Sequence, residues 1–210
     1  MPDSLLDHLM DRRSSVIHGD DDTGRAAVAA IFRVTEDQPQ LLLIQRAVHA
    51  NDPWSGQIGF PGGRHERGDP TLQATAERET HEEIGLSLQG DRASCLGPLD
   101  DLQARARARI LPLVIRPFAF VLVGEGETQF RLNEEVDSAF WVPLDQLADP
   151  KRRIWHDAHR STLPFSFPAV DLGQDRILWG LTHHMTMGIL ERLGRVEDAT
   201  ALCIPRPRQE

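Results

Sequence analysis

Apolar and polar positions fall along the chain in blocks whose spacing predicts the elements. Leu5, Leu6, Leu9 and Met10 recur at helical intervals and predict a short amphipathic helix near the N-terminus. The stretch HGDDDTG, His18 to Gly24, is acidic and turn-rich and reads as a loop. Ala26 to Phe32 and Leu41 to Gln45 are apolar runs separated by TEDQPQ, which predicts two strands joined by a polar connection. His49 to Gly59 reads as a loop containing glycine, proline and aspartate, and PGG at 61–63 as a sharp turn. Leu111 to Val123 and Ser138 to Val142 read as strands. ARARAR, Ala104 to Arg109, alternates basic and small residues as an exposed edge or loop does. Leu178, Leu181, Met185, Ile189 and Leu193 mark a final amphipathic helix, and the tail PRPRQE is expected to be mobile. No internal repeat or low-complexity linker interrupts the chain. The expected organisation is one domain over 25–195, an N-terminal helix and loop extension over 1–24, and a C-terminal tail over 196–210.

The segment with the most chemistry is GFPGGRHERGDPTLQATAERETHEEIGL, Gly59 to Leu86. Asp69-Pro70 predicts a helix start, with the aspartate capping free N–H groups and the proline at the first helical position. Gly85 suits the C-terminal stop, so the helix is expected from about Thr71 to Ile84. Ala74, Ala76 and Thr80 are small or uncharged and would let one side lie close on a sheet. Glu79, Glu82 and Glu83 stand at i, i+3 and i+4, on one face, where their charges repel. A carboxylate trio alone is most simply a solvated face. This one comes with Arg78, four residues before Glu82 and in reach of it, with Gly85 behind and Gly62-Gly63 one loop upstream. Hard oxygen ligands crowded on a rigid helix are what Mg²⁺ or Mn²⁺ selects.

Composition narrows the partners. With 210 residues, 40% hydrophobic and 26% charged, the chain is an ordinary globular protein of one substantial core. A net charge of −9 argues against nucleic acid or an anionic membrane held by bulk electrostatics. A phosphate-bearing small molecule stays compatible, because bound cations reverse the sign locally. The N-terminus lacks an uninterrupted apolar stretch of signal-peptide type, and no apolar run reaches bilayer-spanning length. Cys95 and Cys203 show no metal-type spacing, so a reduced, cytoplasmic protein with inert thiols is expected. A homodimer is compatible with the sequence.

GGRHERGDPTLQATAERETHEEIGL resembles the Nudix box, G-x5-E-x7-R-E-U-x-E-E-x-G-U, at Arg78, Glu79, Glu82, Glu83, Gly85 and Leu86. Three positions depart from it. Gly63 to Arg78 is one residue longer than usual, Asp69 fills the first acidic position, and Thr80 replaces the common aliphatic residue. The resemblance implies an α/β/α sandwich with a mixed sheet. It also implies a metal-dependent enzyme that attacks a diphosphate linked to another moiety with a metal-activated water. By the same resemblance Glu79, Glu82 and Glu83 bind Mg²⁺ or Mn²⁺, the Gly63 carbonyl adds a ligand, and Arg78 holds the glutamates. Gly62 and Gly63 face the substrate, and Glu135, in the loop before a strand, is the better candidate of Glu134 and Glu135 for a further metal-side acid. A solvated loop acid is the plain alternative for Glu135.

Outside the box, LLIQRA (Leu42 to Ala47), Gly56 and FPGG (Phe60 to Gly63) resemble the segment preceding the box in coenzyme A pyrophosphatases. Ile44 stands where that pattern has Thr, Asn51 where it often has Arg, and the Arg46-to-Gly56 spacing is one residue longer. The implied products are 3′,5′-ADP and 4′-phosphopantetheine. ADP-ribose, dinucleotides and nucleotide sugars form the second reading, and a non-catalytic Nudix module for ligand sensing or protein binding the third. Arg46 reads equally as a phosphate contact or a structural pair. Trp54 and Ser55 frame an entrance or cover core. His183 and His184 read as packing or surface residues on the last helix, and Trp179, at its start, as core.

Overall fold

The computed structural model describes residues 8–18, 23–35, 38–49, 54–106, 109–124, 128–157 and 165–208. β1 (Gly24–Thr35) sends Ala27, Ala29 and Ile31 to one side and Ala30 and Phe32 to the other, all fully buried. A strand covered on both faces reads as a continuous apolar run, which is what Ala26 to Phe32 is. β2 (Gln38–Arg46) returns antiparallel to it, with Phe32 opposite Leu41 and Thr35 opposite Gln38. The expected six-residue polar connection therefore shrinks: Thr35 and Gln38 to Gln40 already belong to the ladder. β3 (Ile58–Gly59) pairs with β2, and β4 (Gly62–Arg64) pairs antiparallel with β1, Ala27 opposite Gly63.

The turn expected at PGG is thus a strand at its two glycines. Gly62, at φ +149°, lies so close to β1 that a Cβ would stand 2.3 Å from the Ala27 carbonyl oxygen. The glycine serves close approach of two backbones rather than reversal of the chain.

α1 (Leu72–Ile84) follows, then β5 (Ala93–Pro98), β6 (Leu102–Ala106) and β7 (Arg109–Leu122). β7 runs parallel to β1 from Gly24 opposite Leu113 to Phe32 opposite Val121. β5 and β6 pair antiparallel with β7, so the first half of ARARAR is an edge strand, with Ala104 buried. β8 (Val136–Pro143) pairs with β2, and α2 (Leu144–Ala148) closes this half. The resulting mixed sheet has the central order β3-β2-β1-β7-β5, with β4, β6 and β8 attached to β1, β7 and β2.

A second, smaller sheet is made by β9 (Arg153–His156), β10 (Phe165–Gly173) and β11 (Arg176–Trp179), and it leads into α3 (Gly180–Arg192). Ala76 and Ile84 of α1 pack on one face of the large sheet, while Met187, Ile189 and Leu190 of α3 pack on the other. This is the α/β/α sandwich around a mixed sheet that the box implies. Leu178 and Trp179 sit at helical spacing with α3 but end β11, because Gly180, at φ +68°, breaks the chain between strand and helix. Trp179 is half-buried rather than core.

The first and last described segments are docked as well. Leu9 is fully buried, in a short 3₁₀ turn from His8 to Met10, while Leu5 and Leu6 lie outside the described residues. The C-terminal stretch corrects the expectation of a mobile tail. Ala199, Leu202 and Cys203 pack on the core, and β12 (Arg206–Pro207) pairs with Phe165 and Ser166. Near the N-terminal segment the buried Asp101 carboxylate takes a two-pronged contact from Arg116 (2.7 and 2.8 Å) and the N–H of Ile17 (2.9 Å). Among the described residues no helix is long and apolar enough to cross a membrane.

Candidate active site

α1 is fixed at both ends. Thr71, in extended conformation, accepts the Ala74 N–H (3.1 Å), and Gly85, at φ +70°, donates its N–H to His81 (2.9 Å). The cap is therefore Thr71 rather than Asp69, which is engaged elsewhere. Its carboxylate receives Arg78 Nε and Nη2 at 2.9 and 3.0 Å, together with the Glu66 N–H and the Thr75 hydroxyl. The Arg78 fork holds the Asp69 carboxyl well below the usual carboxylate range, and Asp69 in turn raises Arg78. From this anchor Arg78 Nη1 reaches Glu82 (2.9 Å) and Glu79 (3.1 Å), and Nη2 donates to the Arg64 carbonyl (3.2 Å).

One residue of helix is a rotation of about 100°, and this separates the three glutamates. The Glu82 side chain is 52% exposed, that of Glu79 17%, and that of Glu83 2%. Glu83 shares the buried face with Thr75, Ala76, Thr80 and Ile84. Its Oε2 accepts the Gly62 N–H at 2.8 Å, and Arg46 Nη1 stands 3.8 Å from Oε1. Burial pushes the Glu83 carboxyl up to about 8; Gly62 and Arg46 oppose that, while Glu79 and Glu135 add to it. Glu79 is also raised, first by burial and against the pull of Arg78. Gly63 lies directly on Glu79: a Cβ would stand 2.4 Å from Oε1, so any larger residue there would push the Glu79 carboxylate aside.

The segment between β7 and β8 packs on the C-terminal end of α1. Arg131 and Asn133 donate their N–H groups to the carbonyls of Ile84 and Glu83 (2.8 and 3.0 Å), and the Ala47 N–H donates to the Glu135 carbonyl (2.8 Å). Glu135 is exposed at the start of β8, and its charge reaches both Glu79 and Glu83. The fold thus brings Arg46, Gly62, Gly63, Arg78, Glu79, Glu82 and Glu83 together, with Glu135 beside them. Asp69 is the site residue missed in the sequence; the signal was its place at the first acidic position of the box. Trp54 and Ser55 stand on the loop before β3, where Ser55 accepts the His49 N–H (2.8 Å) and Trp54 packs against a small apolar cluster. His183 is buried, with Nδ1 3.8 Å from Cys203 Sγ, and is a packing residue. Cys95 and Cys203 are free, and burial raises both thiols, Cys203 to about 12.

Among the described residues no three acidic, histidine or cysteine side chains are already gathered round one metal-sized point, since Glu79 and Glu82 turn to Arg78. The donor chemistry nonetheless fits a hard divalent cation. All donors are oxygens, and Glu83 is a buried carboxylate with one short hydrogen bond and like charges around it. A cation is what would hold that carboxylate ionised.

The NUDIX domain family matches residues 24–164. The chain is 35% identical to a Schizosaccharomyces pombe protein named Uncharacterized protein C14C4.10c, over 65% of this chain and 47% of that protein, so it spans about half the length of that relative. It is 30% identical to the Nudix hydrolase NudL of Yersinia enterocolitica, over 74% of this chain and 75% of that one. A MutT/nudix family protein from Enterococcus faecalis shares the fold, with a TM-score of 0.50, 13% identity, and coverage of 96% of this chain and 85% of that one. The chain belongs to the NUDIX family.

Proposed function

We propose that the chain is a metal-dependent pyrophosphatase of nucleoside diphosphate derivatives, and that coenzyme A or a derivative is its substrate, giving 3′,5′-ADP and 4′-phosphopantetheine. One observation carries the substrate reading: the two halves of the coenzyme A-type segment meet at one carboxylate. Arg46 from LLIQRA and the Gly62 N–H from FPGG both address Glu83. ADP-ribose, a dinucleotide or a nucleotide sugar is the second reading. It is favoured by Ile44, an apolar residue only 1% exposed where the coenzyme A pattern has a hydroxyl.

Glu79, Glu82, Glu83 and the Gly63 carbonyl would hold Mg²⁺ or Mn²⁺, with Glu135 as a further acid beside them. A bound divalent ion supplies charge for the diphosphate oxygens and lowers the pKa of an attacking water. The protein's own part is positional. Arg78, anchored on Asp69, keeps Glu79 and Glu82 in place against their mutual repulsion. Gly62 and Gly63 keep the loop flush with the carboxylates, and Arg46 presents a guanidinium at the mouth of the site for a phosphate.

The test is a product assay across coenzyme A, ADP-ribose, NADH and nucleotide sugars with Mg²⁺ or Mn²⁺. The expected result is 3′,5′-ADP from coenzyme A at the highest kcat/KM, and no turnover in excess chelator. Faster cleavage of ADP-ribose would move the substrate to the second reading, and turnover without metal would end the mechanism.

A further inference from the structure

Beyond the carboxylates, the second sheet carries three aromatic rings that no core cluster takes in. Trp179 at the end of β11 packs against His156 of β9 (ring centres 5.0 Å apart) and Phe167 of β10 (5.6 Å), each pair tilted. All three residues are only half-buried, and among the described residues neither Trp179 nor Phe167 belongs to any of the three apolar clusters. A tryptophan steadied by two rings while keeping part of its surface open offers a fixed flat face on which a planar group can stack.

Its position relative to the carboxylates says what. β11 runs beside β3. Trp179 is followed by Gly180, where a Cβ would stand 4.0 Å from Gln57 Oε1, so the Gln57 side chain reaches over that turn. The Gln57 carbonyl accepts the Arg46 N–H (3.0 Å), and the Arg46 guanidinium lies 3.8 Å from Glu83. Successive neighbours therefore lead from Glu83 by way of Arg46 and Gln57 to the turn that follows Trp179. A nucleoside diphosphate derivative has the matching layout, a charged diphosphate tethered through a sugar to a planar base.

We propose that Trp179, steadied by His156 and Phe167, is the stacking surface for the purine base of the substrate. The assignment rests on the proposed function for the class of substrate. It adds a residue from the second sheet, outside the box and outside the coenzyme A-type segment, as the determinant of base binding. Stacking on an indole needs no base-specific hydrogen bond, so the surface would serve any adenine-bearing diphosphate.

The experiment uses the full chain with Trp179→Leu, which keeps apolar bulk but removes the ring, and Trp179→Phe, which keeps a ring. AMP binding is measured by calorimetry, and inorganic pyrophosphate, which has no base, serves as the control inhibitor. Trp179→Leu is expected to weaken AMP at least about fivefold and to raise KM for coenzyme A and ADP-ribose by a like factor. The kcat should stay within about twofold and pyrophosphate inhibition unchanged, while Trp179→Phe recovers most of the loss. Where Trp179→Leu does not fold, His156→Leu, which removes a supporting ring, carries the same comparison. Unchanged AMP affinity, equal weakening of AMP and pyrophosphate, or a wild-type dimer that Trp179→Leu splits would each overturn the assignment, the last by giving the surface to a second copy of the chain. A protein that cleaves no diphosphate but loses AMP with Trp179 would end the functional reading and leave this one standing. An active enzyme whose Trp179→Leu variant binds AMP normally would do the reverse.

Discussion

Among the described residues the two buried acids are Asp101 and Glu83, and their surroundings differ in kind. The Asp101 side chain is 0% exposed and that of Glu83 2%. Asp101 receives the Arg116 fork on both oxygens and a backbone N–H, with Arg25 a further 3.7 Å away. Glu83 receives one N–H, from Gly62, and its Oε1 stands 3.8 Å from Arg46 Nη1, while Glu79 and Glu135 push against its charge. Burying an ionised carboxylate is costly unless its lone pairs are met. Around Asp101 the protein meets them itself, tying β7 to the N-terminal segment. Around Glu83 it leaves the need unfilled, on a helix beside two glycines where a cation and a phosphate can approach. A buried acid that is short of donors is a mark of function when a second buried acid in the same molecule is fully supplied.

The largest expected effect tests the supplied acid. Asp101→Ala strands Arg116 and Arg25 in a partly buried place, and breaking such a pair by removing one partner costs about 3–5 kcal/mol. The midpoint of urea unfolding should fall accordingly, while kcat of the folded protein stays near the wild-type value. A neutral midpoint would mean that the contacts around Asp101 do not hold the fold, and the contrast with Glu83 would lose its reference.

Glu83→Gln tests the other side and should reverse the pattern. The change keeps volume and the capacity to accept the Gly62 N–H, and it removes only the charge. We expect kcat to fall about 10²–10³-fold, the order seen when one preorganised electrostatic group is removed. Thermal stability of the metal-free protein should hold or rise, because the amide has no charged form for burial and Glu79 to oppose. Near-normal kcat at saturating Mg²⁺ would take Glu83 out of the metal-side set.

A third buried group, His183, is a base rather than an acid and sharpens the comparison through pH. Burial lowers its pKa to about 4 from an ordinary value near 6.5. The neutral ring is what fits beside Cys203, so its contribution to stability is complete above pH 6.5. That contribution is lost as pH falls through 4, where the folded state must take up the proton. By linkage the loss over that window is about 3 kcal/mol. His183→Leu should flatten the acid limb of the stability curve between pH 6.5 and 4; an unchanged slope would show that other groups carry it.

How much of this could be read from the sequence follows from which signals were local. β1, β2 and α1 were legible because continuous apolar runs and a glycine stop are properties of a few adjacent residues. The Arg78, Glu79, Glu82 and Glu83 set was legible because its spacing is fixed by a helix. Which glutamate would be buried was not, since the three are equivalent on paper and only the contact of α1 with the sheet ranks them. Asp69 misled because both it and Thr71 are capping residues, and the choice was made by a fork nine residues away on Arg78. The second sheet was hidden for a different reason. Its strands are short, Pro168 interrupts one, and Leu178 falls by coincidence at the helical spacing of Leu181 and Met185. Pairing of β10 with β9, β11 and the remote β12 makes these residues strands.

The smallest expected effect is the most specific, and it concerns Arg46, whose side chain is 27% exposed at the edge of the Glu83 pocket. Two roles are open to its guanidinium: easing the burial of Glu83, and binding a phosphate of the substrate. The first affects every substrate alike, because Glu83 serves them all. The second discriminates, because coenzyme A carries a 3′-phosphate that ADP-ribose lacks, and a charge-assisted contact between arginine and phosphate is hard for water to replace. Arg46→Ala should therefore lower kcat/KM for both substrates and lower it about tenfold further for coenzyme A, a difference of about 1.4 kcal/mol. The measurement is kcat/KM for the two substrates in wild type and variant at saturating Mg²⁺. Equal losses would make Arg46 a partner of Glu83 alone. Arg46 would then join Asp101's arginines as a counter-ion, and the contrast between the two buried acids would narrow to the single N–H of Gly62.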